Sequence, residues 1–276
     1  MQLIWLTDIH LDFVSDYDRN RLVEHIIKKS KEHNGPSSVV ITGDIASASK
    51  NSTYIFMDDY RDKLLEHGIK LYFVLGNHDY YDSQITTERT KYSSGVLAEN
   101  WLGSAGVIPL TTETYLIGHD GWYDGGYANW FQSNVIIPDY TEIFELSMQY
   151  WEKTVIFDRI NALAKESAEH VLKHGYEALS VNECKHLYIA THVPPFRDSS
   201  VYNGLISDDH WMPHFSSKHM GDAILQLGQM HPDKRITVLC GHSHGQAKYC
   251  PTNKIVVHTG KAKYRYPNIN RMFILD

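Results

Sequence analysis

Cysteine is nearly missing: there are three in 276 positions, Cys184, Cys240 and Cys250, with no CxxC pair among them. An odd, scattered set excludes a disulfide framework and a thiolate zinc ribbon, and it points to a reducing, cytoplasmic compartment. Positive charge is also short. Lys plus Arg number 26 against 33 Asp plus Glu, a formal net charge of -7. Non-specific nucleic-acid binders carry a basic footprint, so nucleic acid is not expected as a partner. An anionic small substrate is still admitted, because charge placed at a site outweighs the global sum. Long apolar runs are absent too. No stretch approaches the ~20 residues that span a bilayer, and Asp8 interrupts the first apolar run, so neither a membrane partner nor a signal peptide is expected. Without repeats or low-complexity linkers, the chain reads as one domain over 1–276 with a helical insertion at about 128–182.

Histidine is what the chain has in excess, 17 residues. Several follow short apolar runs that read as buried strands. Leu3 to Leu6 leads into Asp8-Ile9-His10. Val39 to Thr42 leads into Gly43-Asp44. Leu71 to Leu75 leads into Gly76-Asn77-His78-Asp79. Leu187 to Thr191 ends at His192, and Ile236 to Cys240 ends at Gly241-His242-Ser243-His244. Between the first three runs lie segments of helical spacing, Leu22, Val23, Ile26 and Ile27, and then Thr53 to His67 closed by Gly68. Strand, helix, strand, helix, strand is the pattern of βαβ units on a parallel sheet. Ligands of such sheets gather beyond the carboxyl ends of the strands. Two late runs, Lys254 to His258 and Met272 to Leu275, are expected to form a second sheet packed on the first.

Each block alone has an ordinary explanation. Asp-x-His after a strand is commonly a capped turn, and Gly-Asp a strand-to-helix turn with Asp as N-cap. Together they assemble Asp, His and Asn without Cys, an N/O donor set suited to first-row transition metals. Asp8, His10, Asp44, Asn77, His192, His242 and His244 are too many ligands for one metal with an open position, so two are implied. These five blocks, in this order from residue 4 to about 260, resemble the signature of the calcineurin-like metallophosphoesterases. The Gly-Asn-His-Asp block and the His192-Val-Pro-Pro turn are similar in style to the class III cyclic-nucleotide phosphodiesterase branch.

The resemblance implies a four-layer α/β/β/α sandwich of two mixed sheets flanked by helices, with a dinuclear site at the strand ends. It implies two divalent or trivalent ions (Mn, Fe, Zn, Co or Ni). Asp8, His10 and His244 would hold one, Asn77, His192 and His242 the other, and Asp44 would bridge. It implies hydrolysis of a phosphate ester by a metal-bridging hydroxide, leaning to a phosphodiesterase. The alternatives are a phosphomonoesterase of protein or nucleotide, a nuclease, and a non-catalytic scaffold of the same fold. His78 is expected to act on the phosphoryl oxygen or the leaving alkoxide, with Asp79 holding its imidazole. Asn77, His78 and His210 are expected to touch substrate, His210 from a 196–215 loop read as a lid or specificity loop. His119-Asp120 is expected to be structural. Most of Trp122, Tyr123, Trp130 and Phe131 is expected in the core, and Lys261, Lys263 and Arg265 on a solvated face.

Overall fold

The computed structural model describes residues 1–276. In the first third, β1 (Gln2–Leu6), α1 (Asp16–Lys31), β2 (Ser37–Thr42), α2 (Ser52–Leu65) and β3 (Lys70–Val74) alternate. The Ser15 side chain caps α1 by accepting from the Asp18 N–H, and Lys28, Lys29 and Lys31 sit in its last turn, where cations complement the helix dipole. Short elements follow: α3 (Ile85–Ser94), α4 (Leu102–Ala105), β4 (Ile108–Pro109), β5 (Thr114–Gly118) and α5 (Asp139–Glu142). Helix α6 (Lys153–Leu179) then leads to β6 (His186–Ala190). The 196–215 segment contains a small hairpin, β7 (Val201–Tyr202) with β8 (Leu205–Ile206), and α7 (Met212–Phe215). The chain continues through α8 (Lys218–Met230), β9 (Arg235–Cys240), β10 (Ala247–Tyr249), β11 (Ile255–Thr259) and β12 (Arg271–Ile274).

Two mixed sheets result. The first has the order β12-β1-β2-β3, with β1, β2 and β3 parallel and β12 antiparallel to β1. The second has the order β10-β11-β9-β6-β5-β4, parallel through its centre and antiparallel at both edges. The alternation of side chains along each strand divides the core into three. Ile4, Leu6, Val39, Ile41, Leu71 and Phe73 pack against Leu22, Val23 and Ile26 of α1 and Met57 and Tyr60 of α2. Leu3, Trp5, Val40 and Val74 meet Leu116, Tyr188 and Leu239 between the sheets. Leu187, Ile189, Ile236 and Val238 lie under Val171 of α6 and Ile224 and Leu227 of α8. The order is helices, sheet, sheet, helices. Segment 128–182 thus supplies α6 as part of the outer layer over the second sheet.

One of the two late strands departs from expectation. β11 joins the second sheet, beside β9, but β12 returns to the first and pairs with β1. Both runs are short, and neither carries a mark of the strand it pairs with. Trp122, Tyr123 and Trp130 are buried, whereas Phe131 is exposed. No helix is long and apolar enough to cross a membrane.

Candidate metal centre

The parallel registers bring β1, β2 and β3 to a common end in one sheet and β6 and β9 to a common end in the other. The loops leaving them are bonded to one another. The Asp8 N–H donates to Gly43 O at 3.0 Å, His10 N–H to Asp44 O at 3.0 Å, and Gly241 N–H to His192 O at 2.8 Å. Five of the seven expected ligands have left-handed backbones: Asp8 (φ 49°), His10 (40°), Asp44 (51°), His242 (64°) and His244 (57°). Each costs on the order of 1–3 kcal/mol, and such strain gathers where a side chain must be aimed rather than merely packed. The backbone also closes on the carboxylates. A Cβ on Gly76 would lie 2.3 Å from Asp44 Oδ1, and one on Gly241 2.0 Å from Asp8 Oδ2. Only glycine fits at either position.

The side chains converge in two overlapping groups. Ligand atoms of Asp8, His10, Asp44 and His244 all lie within 4.8 Å of one another, as do those of Asp44, His192 and His242. His10 Nε2 and His244 Nε2 are 3.3 Å apart, and His244 Nε2 is 3.3 Å from Asp8 Oδ1. His192 Nε2 is 3.2 Å from Asp44 Oδ1. Asn77 joins the second group through its oxygen, 3.0 Å from both His192 Nε2 and His242 Nδ1. Asp44 belongs to both groups. Two buried carboxylates facing imidazole nitrogens and an amide oxygen form a donor set that fits first-row cations.

Carbonyls set the ring orientations. His192 Nδ1 lies 2.8 Å from Thr42 O and His242 Nε2 2.9 Å from His214 O. A carbonyl only accepts, so those nitrogens carry protons and the opposite nitrogen of each ring faces the cluster. Burial pushes His10 down to about 3 and His242 down to about 4, which keeps both lone pairs free. His192 is buried as well, yet the charge of Asp44 and the hydrogen bond to it outweigh that and raise it to about 10. Asp44 is held well below the usual carboxylate range: burial opposes ionisation, but the charges of His192 and His78 prevail. A cation taken up here displaces protons from such histidines.

His78 sits at the rim, its side chain 15% exposed, with Nε2 3.9 Å from Asp44 Oδ2. Its backbone N–H donates to Asp44 Oδ1 at 3.0 Å. Asp79 does not hold it, and that expectation is corrected. The Asp79 carboxylate turns inward and accepts from Ile45 N–H, Ala46 N–H, Thr53 Oγ1 and Gly76 N–H. Four donors inside the fold outcompete one imidazole at its edge. Asp79 therefore ties the loop after β2 to the loop after β3. His210 is exposed and borders a cavity of about 480 Å³ with Tyr127, Asn129, Gln132 and Arg197; no residue of the two groups lines it.

Three supporting residues carried no recognisable sequence signal. Asp139 accepts from Asn77 Nδ2 at 2.8 Å, Tyr81 OH at 2.7 Å and Tyr123 OH at 2.9 Å, which turns the Asn77 oxygen toward the histidines. His214 contributes its backbone carbonyl to His242, while its buried ring bonds Ser133 and Tyr140. Tyr264 lies tilted over the His10 ring at 4.4 Å. Asp120, expected to be structural, accepts from Leu75 N–H and Trp101 Nε1, and its carbonyl accepts from His192 N–H.

A family model described as calcineurin-like phosphoesterase matches residues 1–246. The chain belongs to that family. As a calcineurin-like phosphoesterase it is a phosphoric ester hydrolase with a metal-binding site, and the family uses dinuclear centres. A curated relative, uncharacterized protein L509 of Acanthamoeba polyphaga mimivirus, is 21% identical over 274 residues, 97% of this chain and 93% of that one. Among solved structures, a phosphopantetheinyl hydrolase from Mycobacterium tuberculosis superposes with a TM-score of 0.59 at 10% identity, covering 95% of this phosphoesterase and 89% of the other chain. A dimetal phosphatase from Danio rerio gives 0.57 at 14% identity, over 97% and 89%. At these identities the likeness is one of fold.

Proposed function

We propose that this phosphoesterase hydrolyses a phosphodiester at the cluster built on Asp44. Asp8, His10 and His244 would hold one first-row transition-metal ion (Mn, Fe, Zn, Co or Ni), Asn77, His192 and His242 would hold a second, and Asp44, common to both groups, would be shared. Metals held there would supply Lewis acidity, activating a water and polarising the phosphoryl oxygens. The chain supplies the rest. Asp139 and the Thr42 and His214 carbonyls fix the ligands' orientation before any substrate arrives. His78, anchored through its backbone to Asp44, bonds a phosphoryl oxygen or hands a proton to the departing alkoxide.

The observation that carries the diester over the monoester is the kind of positive charge present. Only histidines form ion pairs with Asp8 and Asp44; no lysine or arginine does. A phosphomonoester dianion brings one more negative charge than a diester and offers no second ester group. A cluster whose carboxylates pair with histidines alone suits the singly charged substrate.

The test is turnover of a bis-aryl phosphate against the mono-aryl phosphate, with Mn²⁺ added and metal content measured. Faster turnover of the bis-aryl ester is expected. The reverse preference would reassign the site to phosphomonoesters, and no turnover of either at full metal occupancy would sink both readings.

A further inference from the structure

Two aromatic side chains border the ligand cluster without being covered by the fold. Phe13 ends the single helical turn Leu11–Phe13 that follows the Asp8–His10 loop, and it is 48% exposed. Tyr264 lies in the segment between β11 and β12 and is 42% exposed. Their rings meet edge to face, with centroids 5.2 Å apart and planes at 71°. Tyr264 spends one face on the His10 imidazole and stands 5.3 Å from that of His244. Its hydroxyl is 3.5 Å from His78 Nε2. The neighbouring cation is turned elsewhere, with Lys263 Nζ 4.6 Å from the centre of the Tyr266 ring. The platform presents two aromatic rings beside His78 Nε2.

Isolated exposed aromatics are common on protein surfaces and need no explanation. This pair differs in being contiguous and in touching two metal-ligand histidines and His78 at once. An aromatic held there while half-open offers stacking area beside the phosphoryl position. Ring pairs at 4.5–7 Å separation gain attraction that a saturated group of equal bulk does not.

We propose that Phe13 and Tyr264 form a leaving-group subsite, and that it takes a planar aromatic group carried by the phosphate ester. This rests on the phosphodiesterase reading, in which His78 faces the departing oxygen. The ring of the ester packs on the open faces of Phe13 and Tyr264, beside the His78 imidazole.

The test uses the metal-loaded full chain and three singly charged phosphonates with an uncleavable P–C bond: the monomethyl esters of methyl-, benzyl- and cyclohexylmethylphosphonic acid. Their inhibition constants are compared. Benzyl is expected to bind about threefold to tenfold more tightly than cyclohexylmethyl, the range of an aromatic pair. Phe13→Leu and Tyr264→Leu should each lower that ratio, and Tyr264→Phe should keep it. Equal binding of the two bulky esters overturns the subsite, while binding of the methyl ester still upholds the phosphodiester site. If none of the three binds at full metal occupancy, the phosphodiester reading fails and the subsite falls with it. Should Tyr264→Leu lose metal, Phe13→Leu decides, since Phe13 meets the ligands only through an edge contact to His10 at 6.2 Å.

Discussion

Asp44 is the side chain that both ligand groups share, and its two oxygens face different histidines: Oδ1 toward His192, Oδ2 toward His10. Asp44→Asn keeps the shape but removes the charge that balances two cations. The expected outcome is loss of both metals by elemental analysis together with loss of hydrolysis; two metals retained would end the bridging assignment. His78→Ala should keep the metals and slow turnover by about 10²–10⁴-fold, which single-turnover kinetics would read. Asp139→Ala frees the Asn77 amide to turn. We expect about 10–100-fold weaker affinity for one metal and an unaffected second one, resolved by calorimetric titration. Legibility at this scale followed chain position. The seven candidate ligands were legible because each stands within a few residues of a strand end. Asp139 could not, since it reaches Asn77 across 62 positions from a four-residue helix that has no pattern of its own. His214 contributes a carbonyl, which every residue possesses, so no side-chain rule could single it out.

Among the elements, β1, β2 and β3 were readable because buried parallel strands are continuous apolar runs. Helix α6 shows its pattern in Ile156, Ile160, Ala164, Ala168 and Val171, which recur every three or four positions and are all buried. β12 was not assignable, because an exposed four-residue strand carries no mark of its neighbour. Asp79 belongs to this scale rather than to the chemistry, as it joins two strand-end loops. Asp79→Ala leaves buried N–H donors at Ile45, Ala46 and Gly76 without an acceptor, at about 1–3 kcal/mol for each one that finds no water. A lowered urea midpoint is expected, with weaker metal binding as a secondary effect. If stability is unchanged, the tie between the loops carries no load.

For the molecule as a whole, buried neutral histidines set a lower limit of pH. His119 is enclosed at the end of β5, and burial pushes it down from the ordinary 6.5 to about 3. The unfolded chain takes up that proton below about pH 6.5 and the folded chain does not. Its contribution to stability is therefore present above pH 6.5 and is lost as pH falls from there toward 3, at about 1.4 kcal/mol per pH unit. His119→Gln should flatten the fall in melting temperature between pH 6 and 4; an unchanged slope would mean that His119 is protonated when folded.

The pairing of β12 with β1 has a consequence for how the protein is made. Asn270 donates its backbone N–H to Trp5 O and accepts the Thr7 N–H through its side chain, 263 positions along the chain from Thr7. A ribosome delivers Asp8 long before the strand that braces it. Until residues 270–274 emerge, β1 is an open edge with unpaired backbone groups next to the first metal ligand, and contacts of such long range form slowly. A nascent chain therefore holds all seven candidate ligands, Asp8 to His244, before it has the strand that frames the first of them.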